Sequence, residues 1–480
     1  MKVAMVAACP FPANHGTPGA IRELALHLST LGHEVHVVTY PSGESLPIEG
    51  LHVHRAHVPL YMPGPIRIGP SFERLLFDVC LVPKLIAVVR RYGIEVIHAH
   101  NYEANIAGWI ARLLTRRPLI YHGVTALADE LPSYERIRPK AAARVAGKLL
   151  DRVVPMLSDL RLVLSDELRD YLVRLGNRPE RVLIVPPGVE KDWLTSGDGV
   201  RARARIGVAA DTPLVMYTGA LETFQRIDYL LQAAALVFAD IPHAVLVIAG
   251  NIDNPRARAQ CDRWAAELGI TERLRFVESV ALQDLPDFLA AANVTTLPRP
   301  FCPGYPIKLL NYMGAGRPTV VFAGNAKSIY HGYNGYVARN DDVVDFAAGI
   351  RLFLEDPKLA TIIGSRARAS LAGAFDWDTI ARGVALVYRQ LTVDPKGLSA
   401  IALADYFKRS YRPRLDRRQH VTPFLLSGRL DYPSWREGGI RGLRESSRPG
   451  PTLTESPYGV VAEHTPLGAR AADSDRGRKG

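Results

Sequence analysis

The residues with a capacity for chemistry fall at the ends of apolar runs. The first run leads into Pro10, Phe11 and Pro12 and then a loop carrying Gly16 and Gly19, which opens a helical stretch. Glycines let backbone N–H groups approach a ligand closely, and a helix N-terminus favours the negative charge of a diphosphate. The spacing is not G-x-G-x-x-G, which removes the main support for a nicotinamide or flavin cofactor. Far along the chain Lys308 stands in a loop bounded by proline and glycine that enters another helix, so its charge and the helix terminus both suit phosphate. Three histidines, His98, His100 and His122, suggest zinc at first sight. The i, i+2 spacing sends His98 and His100 to one strand face without a clear third ligand, so no metal is expected.

These residues need a scaffold, and the hydrophobic pattern supplies one. Short Val- and Ile-rich runs alternate with segments of helical period: 3–8, 34–39, 96–98, 119–121, 160–164 and 182–185. The alternation restarts at 213–217 and continues through 244–249, 274–276, 294–297 and 319–321. Such patterns mean βαβ units, so the expected fold is α/β, two tandem Rossmann-like domains facing each other across a cleft. The expected bounds are 1–188 and 189–375, joined at Pro186, Pro187 and Gly188, with a closing helix at 376–395 whose start Asp378 would cap. Ligands of open α/β sheets gather beyond the carboxyl ends of the strands, which places the chemistry in the cleft.

Residues 396–480 break the pattern. They are rich in Arg, Pro, Gly and Ser and read as a disordered tail, with one short helix near 400–408. The tail holds 16 Lys and Arg against 9 Asp and Glu, and so carries seven of the eleven net positive charges. The basic balance therefore belongs mainly to the tail, and no nucleic-acid partner is expected of the folded body. Met1 to Cys9 reads as a buried first strand rather than a signal peptide, because the apolar run stops at Pro10. Four separated cysteines without a C-x-x-C pair point to reduced thiols and a cytoplasmic protein, with possible placement at the inner membrane face.

An ordered series of segments resembles the family 4 glycosyltransferases of the GT-B fold. It comprises Gly32-His33-Glu34-Val35, His98-Ala99-His100-Asn101, Tyr121-His122-Gly123, Pro186-Pro187-Gly188, Thr218-Gly219-Ala220, Ala249-Gly250, Pro306-Ile307-Lys308 and Tyr333-Asn334-Gly335. The resemblance covers residues 1 to about 392 and implies a retaining transfer from a nucleotide-sugar donor, without a metal or other cofactor, to a glycan, lipid-linked or small-molecule acceptor. It implies that the departing phosphate assists deprotonation of the acceptor, so electrostatic stabilisation of that group is the chief demand on the protein.

By resemblance Gly219 lies in the donor entry and His122 is the active-site histidine, hydrogen bonding to a sugar hydroxyl. The sequence departs from the family where an Arg, a Lys and two Glu of a Glu-x7-Glu motif are usual: the positions hold Ala220, Gln225, Pro303 and Asn311. Asn311 retains a hydrogen-bonding side chain for the donor nucleoside. Arg226, Arg299 and Lys308 are the cations placed to replace the lost pair, while Asn101 and Glu130 follow neighbouring strands on the acceptor side. Loss of those residues also fits a degenerate GT-B protein that binds or scaffolds. Finally Lys140, Arg144, Lys148 and Arg152 recur at every fourth position of a predicted helix, a stripe suited to anionic headgroups.

Overall fold

A computed structural model of the chain describes residues 1–12, 16–43, 48–59, 71–134, 137–250, 255–278, 280–302, 304–373 and 375–393. The segment from 396 onward, with the expected helix near 400–408, lies outside the described residues, as does Pro303.

The first sheet has seven strands: β1 (Lys2–Ala7), β2 (Glu34–Thr39), β3 (Leu51–Arg55), β4 (Val96–His100), β5 (Leu119–Gly123), β6 (Leu160–Val163) and β7 (Val182–Ile184). Their order is β3-β2-β1-β4-β5-β6-β7, and all pairs are parallel. The second sheet has six: β8 (Leu214–Thr218), β9 (Val245–Gly250), β10 (Leu274–Glu278), β11 (Val294–Leu297), β12 (Thr319–Phe322) and β13 (Tyr336–Ala338). Its order is β10-β9-β8-β11-β12-β13, again parallel throughout. The edge strands β3 and β13 escape the sequence pattern, because β3 alternates histidine with apolar residues and β13 has only three residues. Central strands such as β4, β5 and β8 are buried along their whole length, as parallel strands covered on both faces must be.

Each sheet reverses its strand order once, at β1/β4 and at β8/β11. Those reversals open crevices at the carboxyl ends of the strands, the usual place for a ligand in doubly wound sheets.

The helix Trp377–Val393 follows the second sheet in sequence but packs into the first. Its residues Ile380, Val384, Val387, Tyr388 and Leu391 share a core with Met5, Leu24, Leu28, Ile120 and Leu162. Gly188 in the connecting segment lies flat against the Trp377 indole, where a Cβ would collide with the ring. The helix begins at Trp377, and the carboxylate of Asp376 accepts from the Thr379 N–H at 3.3 Å. Asp376 is therefore the cap in place of Asp378, which lies inside the first turn. The two halves also touch at the cleft: Gly304 sits so close to the Val124 carbonyl that a Cβ would come within 2.5 Å of it. The amine of Lys327 lies 3.6 Å from the Glu167 carboxylate.

Candidate active site

One wall of the cleft is made by the carboxyl ends of β4 and β5. Their register pairs His100 with His122, so the three imidazoles of His98, His100 and His122 come together. The third imidazole that the i, i+2 spacing does not reveal is thus His122, delivered by the neighbouring strand. Their side chains offer nitrogens within 4.8 Å of one another. His98 Nδ1 lies 2.6 Å from the Tyr388 hydroxyl, and His98 Nε2 lies 3.2 Å from His122 Nδ1. The outer nitrogens, His100 Nε2 and His122 Nε2, are buried without a hydrogen-bond partner among the described residues. Burial pushes the His98 and His100 pKa values well below the usual histidine range and that of His122 down to about 4, so the cluster is neutral at physiological pH.

After β5 the chain makes a short helix, Leu127–Glu130, held from behind by buried Asp151. That carboxylate accepts from Tyr102 at 2.5 Å, from Tyr171 at 2.8 Å and from the N–H groups of Leu127 and Ala128 at 2.8 and 3.0 Å. The turn is fixed before any ligand arrives. On it Glu130 turns to Tyr134, whose hydroxyl donates at 2.5 Å, and burial raises the Glu130 carboxyl pKa. Asp129 has an oxygen, Oδ2, buried without a partner among the described residues. Burial and the nearby Asp151 charge push its carboxyl up to about 6, against the lowering fields of Arg144 and Arg299. Asp129, beside Glu130 on the same short helix, thus keeps an oxygen without a partner among the described residues. Asn101, at φ 70, is the first residue of the helix after β4 and is half-buried.

The opposite wall is made by β8, β11 and the helix Ile307–Gly314. Gly219 ends β8 with φ +135, and a Cβ there would stand 2.5 Å from the Lys308 amine. The absence of a side chain lets that amine settle on the backbone of the loop after β8. Lys308 Nζ donates to the Tyr217 hydroxyl at 2.8 Å and to Gln225 Oε1 at 3.4 Å. Tyr217 in turn donates to the Ala220 carbonyl at 3.1 Å. Ala220 and Gln225, where the family's usual cations are missing, therefore serve to seat Lys308. Burial, and then the positive field of Arg299, lower the Lys308 pKa to about 7. A lysine so poised gains strongly from an arriving anion.

Arg299 lies over the Phe224 ring at 4.7 Å, within electrostatic reach of both Lys308 and Asp129. Asn311 is half-buried, three residues beyond Lys308 and so on the same side of its helix. Arg226 is placed differently from the expectation. Its backbone adopts φ 55, its guanidinium binds Asp228 at 2.8 Å, and it stacks 3.3 Å from the Tyr229 ring centre. It is committed to its own helix terminus and is not gathered with Lys308. At the other glycine loop, Gly16 is the first residue of the helix Gly16–Thr30 with φ +53, and Gly19 lies in its first turn.

The stripe Lys140, Arg144, Lys148 and Arg152 is exposed along the helix Lys140–Val153, while Ala143, Gly147 and Asp151 face inward. Lys140 donates to the Tyr134 carbonyl at 2.6 Å. Beside the basic row runs an exposed apolar row, Val145, Leu149 and Val153. No helix among the described residues is long and apolar enough to cross a membrane.

Comparison with known proteins gives this geometry its context. Residues 201–370 match the family described as Glycosyl transferases group 1, and residues 15–188 match the Glycosyl transferase 4-like domain. A D-inositol 3-phosphate glycosyltransferase of Geodermatophilus obscurus is 31% identical over 362 residues, covering 73% of each chain. Among solved structures, sucrose-phosphate synthase from Thermosynechococcus elongatus superposes with a TM-score of 0.68 at 22% identity, over 81% of this chain and 98% of that one. Anabaena Alr3699/HepE, solved in complex with UDP, gives 0.64 at 20% identity over 82% of this chain and 100% of that one. The two sheets, the order of their strands and these likenesses together show that the chain belongs to the group 1 glycosyltransferases, enzymes of the family 4 kind on the GT-B fold.

Proposed function

We propose that the chain is a retaining glycosyltransferase that takes a sugar from a uridine diphosphate sugar and transfers it to a hydroxyl of a phosphate-bearing polyol. The observation that carries the donor half is the Lys308 amine seated on Gly219 at the β8/β11 reversal, with Arg299 beside it. Support for uridine comes from the fold neighbour bound to UDP. Support for the acceptor comes from the relative named for D-inositol 3-phosphate and from Arg144 and Arg299, cations whose fields reach the Asp129 carboxyl.

In the reaction the bond from the anomeric carbon to the diphosphate oxygen breaks, and a bond to the acceptor oxygen forms on the same face. The acceptor proton goes to the departing diphosphate. Lys308 and Arg299 stabilise the charge that develops on that leaving group, the largest contribution available to a site of this kind. His122 hydrogen-bonds the sugar, Asn311 the nucleoside, and Asp129 orients the acceptor. A metal ion has no assigned part in this scheme.

The test is a thermal-shift and calorimetric screen against UDP, GDP, ADP and their sugars, repeated with Lys308→Ala. Selective stabilisation by uridine nucleotides that is lost in the variant supports the reading. No shift with any nucleotide leaves the chain a binding or scaffolding protein, and product NMR showing an inverted anomer refutes retention.

A specific observation favours a membrane-borne form of the acceptor: the basic and apolar rows run side by side on the helix Lys140–Val153. Such a surface suits the boundary of an anionic bilayer. Flotation with vesicles containing phosphatidylinositol, compared with pure phosphatidylcholine vesicles, tests it; equal recovery from both, or from neither, removes the contact.

A further inference from the structure

The hydrogen bonds of the histidine cluster have a direction, and it is set from the crossing helix. Tyr388 is fully buried, and its hydroxyl has one hydrogen-bond partner among the described residues, His98 Nδ1 at 2.6 Å. If His98 donated to that oxygen, the phenolic O–H would be left as a buried donor without an acceptor, which native interiors avoid. Tyr388 therefore donates, and His98 Nδ1 accepts. Since His98 is neutral, its proton sits on Nε2 and is donated across 3.2 Å to His122 Nδ1. His122 Nδ1 is then an acceptor, and the ring proton of neutral His122 lies on Nε2, the buried atom that has no partner among the described residues.

We propose that Tyr388 is a positioning residue which, through His98, holds His122 in the Nε2–H tautomer, so that the imidazole presents a hydrogen-bond donor rather than a base to a substrate oxygen. The proposal deepens and rests on the assignment of His122 to the active site. It ties the cleft to the helix Trp377–Val393, whose first residue packs on the segment joining the two domains. The donor on one wall is thereby set by a residue 290 positions away from His98.

The three rings lie close enough to suggest a metal ion, but the chain of bonds uses both nitrogens of His98 and Nδ1 of His122. Only His100 and His122 Nε2 remain for a ligand, fewer than the three protein ligands of a catalytic zinc site.

The test is long-range 15N–1H NMR of the full chain labelled in histidine, with His122 assigned through His122→Gln. The wild type should show His122 protonated at Nε2. In Tyr388→Phe, which keeps the ring, the ratio of the two tautomers should fall by about fivefold, the weight of one net hydrogen bond. A wild-type His122 protonated at Nδ1, an unchanged ratio in Tyr388→Phe, or uptake of one equivalent of zinc by His98 and His122 overturns the proposal. If the variant does not fold, His98 in the wild-type spectrum decides the matter: protonation at Nε2 supports the bond from Tyr388, and protonation at Nδ1 overturns it. Transfer from UDP-glucose by His122→Gln is measured beside it: undiminished transfer refutes the active-site assignment of His122, while the tautomer result still judges Tyr388.

Discussion

The wall built by β4 and β5 and the wall built by β8 and β11 carry polarity by different means. On the first, three imidazoles are buried and neutral; His98 is bonded to both His122 and Tyr388, and the His100 ring lies against the other two. On the second, a lysine is half-buried beside an arginine and kept near the edge of ionisation. A neutral ring can be buried at small desolvation cost and offers the same N–H before and after binding. An ammonium group at such a site is costly until a diphosphate neutralises it. One wall is preorganised; in the proposed reaction the other is completed by its anion.

The sharpest way to break this contrast is Lys308→Met. Loss of a charge-assisted hydrogen bond to phosphate should weaken UDP binding by roughly 2–3 kcal/mol, or about 30- to 150-fold. Thermal stability without ligand should not fall, because a desolvated charge has been removed. Calorimetry at about pH 6.5 with a parallel melting curve checks both; unchanged UDP affinity would mean that Lys308 is structural.

The histidine wall should appear instead in acid. The folded pKa values of His98, His100 and His122 lie below the unfolded value of 6.5, so the unfolded chain binds more protons once the pH falls beneath that value. The histidine contribution is therefore full above about pH 6.5 and declines as the pH falls, by roughly 2 kcal/mol for His122 at about pH 5, with His98 and His100 adding losses of the same sign. Lys308, whose pKa is lowered to about 7, adds slope only near the top of that range and is protonated in both states below about pH 6, where the slope belongs to the histidines. Urea midpoints from pH 7 to 5, compared with His100→Asn, measure the share of one ring; equal slopes in the two proteins would show that His100 is not held neutral.

Much of this contrast is visible in the chain itself, and the rest is not, for a physical reason. The strand-helix alternation, Gly219, Lys308 and His122 are encoded locally, since a strand end and a helix start each leave marks within a few residues. The adjacency of β4 and β5 that brings His122 to His98 and His100 is a tertiary fact, as is the approach of Tyr388. Asp129 and Glu130 are neighbours in sequence, and only the packing of Asp151 and Tyr134 decides that Asp129 keeps an oxygen without a partner among the described residues. The Asp376 cap differs from the expected Asp378 by two residues, within the usual uncertainty of helix ends.

The cationic wall should also respond to alkali. Above about pH 7 the unliganded Lys308 amine loses its proton, and UDP must bring one back. Affinity should then fall by up to about tenfold per pH unit, with up to about one proton taken up on binding. Calorimetry in buffers of different ionisation enthalpy reads that proton directly. Its persistence in Lys308→Met would assign the titration to another group.

The smallest expected effect tests whether position in sequence or commitment in space makes a phosphate ligand. Arg226 lies beside the place of the family's usual lysine, yet it bonds Asp228 at 2.8 Å and lies over Tyr229. Drawing it onto a diphosphate would break that pair and leave the Asp228 carboxylate without its partner, offsetting the new attraction. Arg226→Ala should therefore change UDP affinity by no more than about twofold, a difference within the range of exposed ion pairs. Titration of Arg226→Ala and Arg299→Ala in the same buffer separates the two cations. A tenfold loss for Arg226→Ala would mean that its guanidinium swings away from Asp228 on binding, making this wall mobile in its side chains as well as in its charge.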